Sequence, residues 1–297
     1  MKQLTFRKTR IAPTPSGYLH LGNVLSFAFT AAWAQQTGAR VLLRIDDLDQ
    51  PRIRREYVQD IFDTLHFLKI SWDEGPRDYR QYEKDYTQLR RMDLYRTALQ
   101  RLKEQGLIFA CTCSRTEIAA RRAQHRFADV CRDRRIPPEQ EEVSWRLHTD
   151  PSAMLTVSTP QGTVTKTALP PAMTDFVVRK KDGFPAYQLT SVVDDDHFGV
   201  DLVVRGDDLW PSTLAQHYLS GLLPGNTFRR AACYHHPLLQ DTRGRKLSKS
   251  AGDLSIRFLR EAGKKPADIC SLIALRLGHA EPVKNFSALL EIIAQQM

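Results

Sequence analysis

Apolar positions along the chain fall into two patterns, short unbroken runs and runs spaced three and four residues apart, and the two alternate. Leu4 to Ala12 reads as a strand, ended by Pro13, Pro15 and Gly17, which force a non-helical loop. From Asn23 to Gln36, Val24, Phe27, Ala28, Ala31 and Ala34 recur at helical spacing, and Gly38 supplies the stop. Val41 to Ile45 is a second short strand, interrupted only by Arg44. Strand, glycine-bearing loop, helix, strand is a βαβ unit. Two amphipathic helices follow, one through Val58, Ile61, Phe62, Leu65 and Leu68, the other through Leu89, Met92, Leu94, Leu99 and Leu102 to Gly106.

The pattern weakens from Cys111 to Pro171, where basic residues, Pro137-Pro138 and a Thr-rich stretch dominate. Apolar strands resume at Phe176 to Val178 and Leu202 to Val204, and a helix is expected from Ser212, capped by Ser-Thr. The reading is an α/β fold in which a nucleotide-binding sheet is split by an insertion: residues 1–106 form its first half, 107–173 the inserted subdomain, 174–297 its second half. No internal repeat or low-complexity tail interrupts this order.

Composition narrows the class. In 297 residues, 42% hydrophobic and 26% charged, neither a disordered chain nor a membrane protein is the natural reading. The longest weakly polar stretch, Leu21 to Ala34, contains Asn23 and Ser26 and is too short to span a bilayer, so it predicts a buried helix. The N-terminus lacks the apolar run of a secretory signal, and a cytoplasmic location is expected. Lys and Arg number 43 against 34 Asp and Glu, a formal charge of +9 that favours polyanions, nucleic acid first among them. Of five cysteines only Cys111, Cys113 and Cys131 lie close together, which suits a metal site or inert thiols better than a disulfide framework.

Two constellations carry the chemistry. The first runs from Arg10 through Pro13-Thr14-Pro15-Ser16-Gly17 to His20-Leu21-Gly22-Asn23. There a strand ends, prolines stiffen the turn, and a helix begins whose free N–H groups and positive dipole end would suit a triphosphate, with Gly22 allowing close approach. A turn histidine that merely hydrogen-bonds locally is the competing reading of His20. The second is Gly244-Arg245-Lys246-Leu247-Ser248-Lys249-Ser250, a basic loop able to follow charge as it builds on pyrophosphate.

Together these motifs resemble the class I aminoacyl-tRNA synthetases of the glutamyl and glutaminyl type. The match continues through Leu43-Arg44-Ile45-Asp46-Asp47-Leu48-Asp49, Tyr187-Gln188-Leu189, Val192-Val193-Asp194-Asp195 and Val203-Val204-Arg205-Gly206-Asp207-Asp208-Leu209 with Ser212-Thr213. The sequence ends 47 residues past Ser250, and no anticodon-binding region is expected. With the cysteine cluster, this is similar to the glutamyl-Q tRNA(Asp) synthetase branch. That branch activates glutamate without tRNA and attaches it to queuosine in the anticodon of tRNA(Asp).

The resemblance implies a Rossmann-type parallel sheet, ATP and Mg²⁺ as cofactors, and roles residue by residue. His20, Lys246 and Lys249 would be catalytic, and His20, Gly22, Asn23, Lys246, Ser248 and Lys249 would hold ATP. Arg10 and Arg205 would hold the carboxylates of the amino acid, with Ala12, Thr14 and Tyr187 completing the pocket; Asp46, where the family has glutamate, would pair with the α-ammonium. Cys111, Cys113 and Cys131 occupy family zinc positions, but the family's tyrosine ligand is replaced by Phe127, so closure of a Zn²⁺ site would need His125, Asp129 or water. A small apolar core around Phe127 in place of the metal is favoured. The partners expected are glutamate and the anticodon stem-loop of tRNA(Asp), drawn by Arg115, Arg121, Arg122, Arg126, Arg132, Arg134 and Arg135, with the chain a monomer and no membrane involved. Two rivals are an adenylate-forming ligase with another amino acid or with a small-molecule or protein acceptor, and an inactive RNA-binding paralogue, against which the phosphate lysines weigh.

Overall fold

In a computed structural model the residues described are 5–114, 116–118, 120, 131–239 and 255–297. The expected βαβ unit is present. Strand β1 (Lys8–Ile11) pairs in parallel with β2 (Arg40–Leu43), and α1 (Leu21–Thr37) connects them. Helix α1 is buried along most of its girth, Val24, Leu25, Phe27, Ala28 and Phe29 included, as an apolar run too short for a bilayer predicts. Gly38 ends it in the left-handed conformation and returns its N–H to Ala34. Helix α2 (Arg55–Leu68) buries the predicted stripe of Val58, Ile61, Phe62, Leu65 and Leu68.

The next helix departs from expectation. Residues 82–86 and 88–91 form wider and tighter turns, and α3 is Met92–Glu104, with Leu89 and Leu94 exposed at 41% and 38%. The inward face that Leu89 would have taken is occupied by polar groups. Gln88 and Arg91 are drawn inside, where Gln88 Oε1 accepts from Leu48 N and its Nε2 donates to Asp194.

Strands β3 (Ile108–Cys111), β4 (Ser144–Leu147) and β7 (Val177–Arg179) form an antiparallel sheet, while β5 (Met154–Ser158) and β6 (Val164–Ala168) form a hairpin beside it. The run Phe176 to Val178 therefore closes the antiparallel sheet rather than resuming the parallel one, and the expected boundary at 173 falls between strands β6 and β7. A short apolar run specifies a strand, not its partner.

Helix α4 (Tyr187–His197) leads to β8 (Leu202–Gly206), which pairs in parallel with β9 (Ala232–His236) across α5 (Trp210–Leu222). The pair lies beside β1, joined by the Asp201 N–H to the Lys8 carbonyl. Helix α5 starts two residues before the expected cap, with Pro211 in its first turn. Ser212 and Thr213 lie within it, bonded to Gln188 and His235 instead. Helices α6 (Ile256–Glu261), α7 (Pro266–Arg276) and α8 (Phe286–Ala294) pack against the core built on α1 and α2. Among the described residues no helix is long and apolar enough to cross a membrane.

An ionic network joins these layers. Asp194 and Asp195 of α4 are both 0% exposed. Asp194 accepts from Arg91 Nε at 2.8 Å, Tyr95 Oη at 2.7 Å and Gln88 Nε2 at 2.9 Å. Asp195 accepts from Arg44 Nη1 at 2.6 Å and Arg10 Nε at 3.1 Å. Burial opposes ionisation of Asp194, but Arg91 and Arg44 hold it below the usual carboxylate range. Removing one member would strand buried charge. Asp194→Ala is expected to lose about 3–5 kcal/mol of stability in urea unfolding, and a loss under about 1 kcal/mol would mean that the network is not structural.

Candidate active site

The first signature motif lies where a strand, a rigid loop and a helix start meet. His20 is the N-cap of α1: its Nδ1 accepts from Gly22 N at 3.1 Å, and Asn23 Oδ1 accepts in turn from His20 N at 3.0 Å. This is a capping box. With Nδ1 accepting, a neutral ring carries its proton on Nε2. The Asn23 and Val24 amides go to the His20 carbonyl, so the donors expected to be free at this helix start are largely spent on its own cap. Gly22 has a local reason as well, since a Cβ there would stand 3.0 Å from the His20 ring. The local hydrogen bonding of His20 is thus present; a phosphate would meet its ring and the dipole end rather than an open row of amides.

The arginines of β1 and β8 face each other across the parallel strands. Arg10 is 6% exposed and Arg205 is 4%. Arg10 spends Nε on Asp195 and donates from Nη1 to the Val204 carbonyl at 3.2 Å. Burial, reinforced by the like charges of Arg44 and Arg205, lowers its pKa against the pull of Asp195. Arg205 has no such partner: its Nε, Nη1 and Nη2 are all buried without a hydrogen bond among the described residues. Such groups are costly when left unsatisfied. Besides Arg10, the groups that the described residues place near Arg205 include two histidines and a thiol. Burial and Arg205 depress His235 to about 3 and His217 to about 4, the first bonded to Thr213 Oγ1 at 2.7 Å, and the Cys233 thiol is pushed up by burial.

Asp46 lies on the wall of a wide cavity, with both oxygens already accepting from Arg44 at 2.7 and 3.0 Å. Burial raises its pKa in spite of Arg44. A ligand ammonium would share this carboxylate with a guanidinium. The neighbouring Asp47 turns elsewhere, accepting from Tyr82 Oη at 2.6 Å, Gln88 N at 2.8 Å and Thr87. Tyr187, 44% exposed, and Thr14 line the same cavity, which measures about 880 Å³ and has Arg146, Lys180 and Lys181 on its other side. Ala12 follows β1 at half-burial. At the end of β8, a Cβ at Gly206 would stand 2.8 Å from the side-chain ends of both Asp208 and Leu238, which would have to shift.

The three cysteines converge. Cys131 Sγ is 3.2 Å from Cys113 Sγ and 3.5 Å from Cys111 Sγ, and all three thiols are buried. Thiolates on a tetrahedral zinc with bonds of about 2.3 Å stand about 3.8 Å apart, so three of four positions fit. Although burial opposes it, bonds from the Cys113 amide and Cys131, with Arg146 nearby, lower the Cys111 thiol, whereas burial pushes Cys131 up to about 12. Phe127, His125 and Asp129 lie outside the described residues, as do Lys246, Ser248 and Lys249 and the arginines 115, 121, 122 and 126. Arg134 and Arg135 are exposed, and the half-buried Arg132 donates to Asp175 and the Thr149 carbonyl.

Sequence reasoning gave no role to Arg44, Gln88, Arg91, Asp194 and Asp195, the groups that hold the site. Arg44 carried a usable signal, a lone charge in an apolar strand.

The chain belongs to the family of class I tRNA synthetases (E and Q), catalytic domain, whose model matches residues 7–297. It is thus a ligase of the aminoacyl-tRNA synthetase type. Among its relatives, the glutamyl-Q tRNA(Asp) synthetase of Parasynechococcus marenigrum is 37% identical over 97% of this chain and 89% of that one. The protein of the same name from Synechococcus sp. is 36% identical over 97% and 89%. Glutamate–tRNA ligase 2 of Syntrophus aciditrophicus is 31% identical over 90% of this chain, which spans only 57% of that protein. The fold matches the crystal structure of glutamate-tRNA synthetase from Elizabethkingia anophelis with a TM-score of 0.73 at 20% identity, covering 96% of this chain and 65% of that one.

Two predictions follow from this geometry. His217 and His235 have folded pKa values below the ordinary 6.5, so the unfolded chain binds more protons in acid. Their contribution to stability is complete above pH 6.5 and is lost as pH falls towards 4 and then 3. His217 alone accounts for about 2–3 kcal/mol between pH 7 and 4, and His217→Gln is expected to flatten the acid limb of a melting-temperature profile; an unaltered limb would refute the assignment. Separately, protein purified without a histidine tag is expected to carry well below one zinc per chain, rising towards one in Phe127→Tyr. Stoichiometric zinc in the unaltered protein would show that another ligand closes the site.

Proposed function

We propose that the chain activates glutamate with ATP and Mg²⁺, without tRNA, and transfers it to the queuosine base in the anticodon stem-loop of tRNA(Asp). The observation that carries this reading is Arg205. Of the arginines at the strand ends, Arg10 and Arg44 are matched by Asp195 and Asp46, while the buried Arg205 guanidinium has no hydrogen-bond partner among the described residues and lies near Arg10, two histidines and a thiol. A planar fork left unneutralised in a low-dielectric pocket calls for a carboxylate, and an amino acid with a second carboxylate meets that demand. Arg10, Ala12, Thr14, Asp46 and Tyr187 would complete the pocket.

In the first step the α-carboxylate attacks the α-phosphorus of ATP in line, an oxygen–phosphorus bond forms, and pyrophosphate leaves. No side chain acts as nucleophile. His20, Gly22, Asn23, Lys246, Ser248 and Lys249 hold the triphosphate, and the lysines neutralise charge as it moves onto the leaving group. Magnesium would screen the same phosphates. In the second step a hydroxyl of the acceptor attacks the activated carbonyl and releases AMP.

The cavity beside Asp46 and Tyr187 supports a bulky acceptor. Its 880 Å³ far exceeds a glutamate, its rim carries Lys180 and Lys181, and Tyr187 offers an exposed ring for stacking. The names of the similar proteins from Parasynechococcus marenigrum and Synechococcus point to the same acceptor.

ATP–pyrophosphate exchange tests the first step, and glutamate is expected to drive it without RNA. Silence with all twenty amino acids would refute activation. Arg205→Ala should raise the KM for glutamate about a hundredfold or more, and Lys249→Ala should instead lower kcat by about that factor. For the second step, labelled glutamate is expected on tRNA(Asp) that carries queuosine and to persist after removal of the terminal CCA. Loss of label on that removal would move the amino acid to the ordinary acceptor end.

A further inference from the structure

Helix α2 carries a carboxylate that the proposed chemistry does not use. Asp60 stands in the apolar stripe between Val58 and Ile61 and is 2% exposed. Its two oxygens are divided. Oδ2 accepts from the Leu19 amide at 3.0 Å, one residue before His20, and Oδ1 accepts from Arg260 Nη2 of α6 at 2.9 Å. One buried acid thus holds the first signature motif with one hand and α6 with the other.

Other contacts join the same partners. The Ile256 amide donates to the Leu19 carbonyl at 2.7 Å, and Ser255 and His20 form an isolated antiparallel bridge. Arg257 donates from Nη1 to Tyr18 Oη at 2.6 Å while its guanidinium stands 4.7 Å from the centre of that ring. Tyr18 in turn meets Tyr57 of α2 edge to face at 5.0 Å. Every residue from Tyr18 to His20 is therefore gripped by α6, by α2 or by both. In sequence α6 follows directly on the second motif, with Ser255 five residues past Ser250.

We infer that Asp60 and Arg260 are positioning residues that fix α6 to the His20 segment. The clamp rests on the proposed ATP chemistry for its purpose, not for its geometry. A positional error of about 1 Å between phosphate-binding groups costs rate on the order of a hundredfold while leaving ground-state binding elsewhere almost intact. Asp60 is suited to the task because a buried carboxylate gives up both a backbone bond and an ion pair when it moves, so the joint resists gradual loosening.

The test compares the full-length protein with Asp60→Asn, Arg260→Ala and Arg260→Lys. Hydrogen exchange followed by mass spectrometry on the segment holding Leu19 reads the clamp directly. Arg260→Ala is expected to speed exchange there, and Arg260→Lys, which keeps a charge in reach of Oδ1, to restore protection. Unchanged exchange at Leu19 in Arg260→Ala would overturn the inference whatever the enzyme does. In pyrophosphate exchange, Asp60→Asn and Arg260→Ala are expected to lower kcat about tenfold or more with the KM for glutamate within about twofold, and Arg260→Lys to recover most of the rate. A raised glutamate KM at full kcat, or a loss that only follows the melting temperature, would assign the pair an ordinary structural role and refute the positioning one. Exchange absent from the unaltered protein would fail the proposed function alone, because the Leu19 readout needs no activity.

Discussion

Everything around the cleft depends on two adjacent aspartates having been taken out of water. Asp194 and Asp195 follow each other in α4 and point to different neighbours, the first to Arg91, Tyr95 and Gln88, the second to Arg44 and Arg10. Removing a carboxylate from water costs several kcal/mol, roughly what a close guanidinium returns. Such pairs add little net stability. What they add is intolerance of alternatives, since any packing that parts α4 from β1, β2 or the segment before α3 strands a charge. The strands and helices could slide against one another on apolar contacts alone; the aspartates permit one register.

The same network sets the electrostatics of the site. Arg10, Arg44, Arg91 and Arg205 gather around Asp46, Asp194 and Asp195, and the unmatched member is Arg205. Among these four arginines, the one without an acidic or hydrogen-bonding partner is the buried fork at the end of β8. Histidines 217 and 235, which could have competed as further cations, are held neutral by burial and by Arg205 itself. Selection for an amino acid with two carboxylates would then rest on charge balance first and on shape second. Asp46, kept by Arg44, belongs to the frame as much as to the pocket.

Much of this frame was legible in the sequence, and the parts that were not share a cause. The βαβ unit, the buried α1 and the α2 stripe were read from periodicity, because apolar burial decides them. Leu89 misled because Gln88 and Arg91 took the inward face, and a polar residue that goes inside for an aspartate a hundred positions away leaves no periodic trace. Strand β7 was recognised as a strand and given the wrong partner, because hydrogen-bonding neighbours are set by topology rather than by local composition. Ser212 and Thr213 looked like a cap and serve as partners for Gln188 and His235 inside α5. Arg10, Arg205, Asp46 and Tyr187 were found through motif resemblance, yet only the coordinates separate the satisfied arginines from the unsatisfied one.

Gly22 shows how one residue type can serve two readings. A glycine beside a helix start suggests room for a nucleotide, and here it also makes room for the His20 ring, which folds back over the first turn and takes the Gly22 amide. These uses are sequential rather than opposed. A cap that occupies the helix-start donors keeps the loop in one conformation before any ligand arrives. Phosphate recognition would then cost little ordering of this segment, because the residues from Tyr18 to Asn23 are already fixed by α1, α2 and α6. The first motif is in this sense a finished surface.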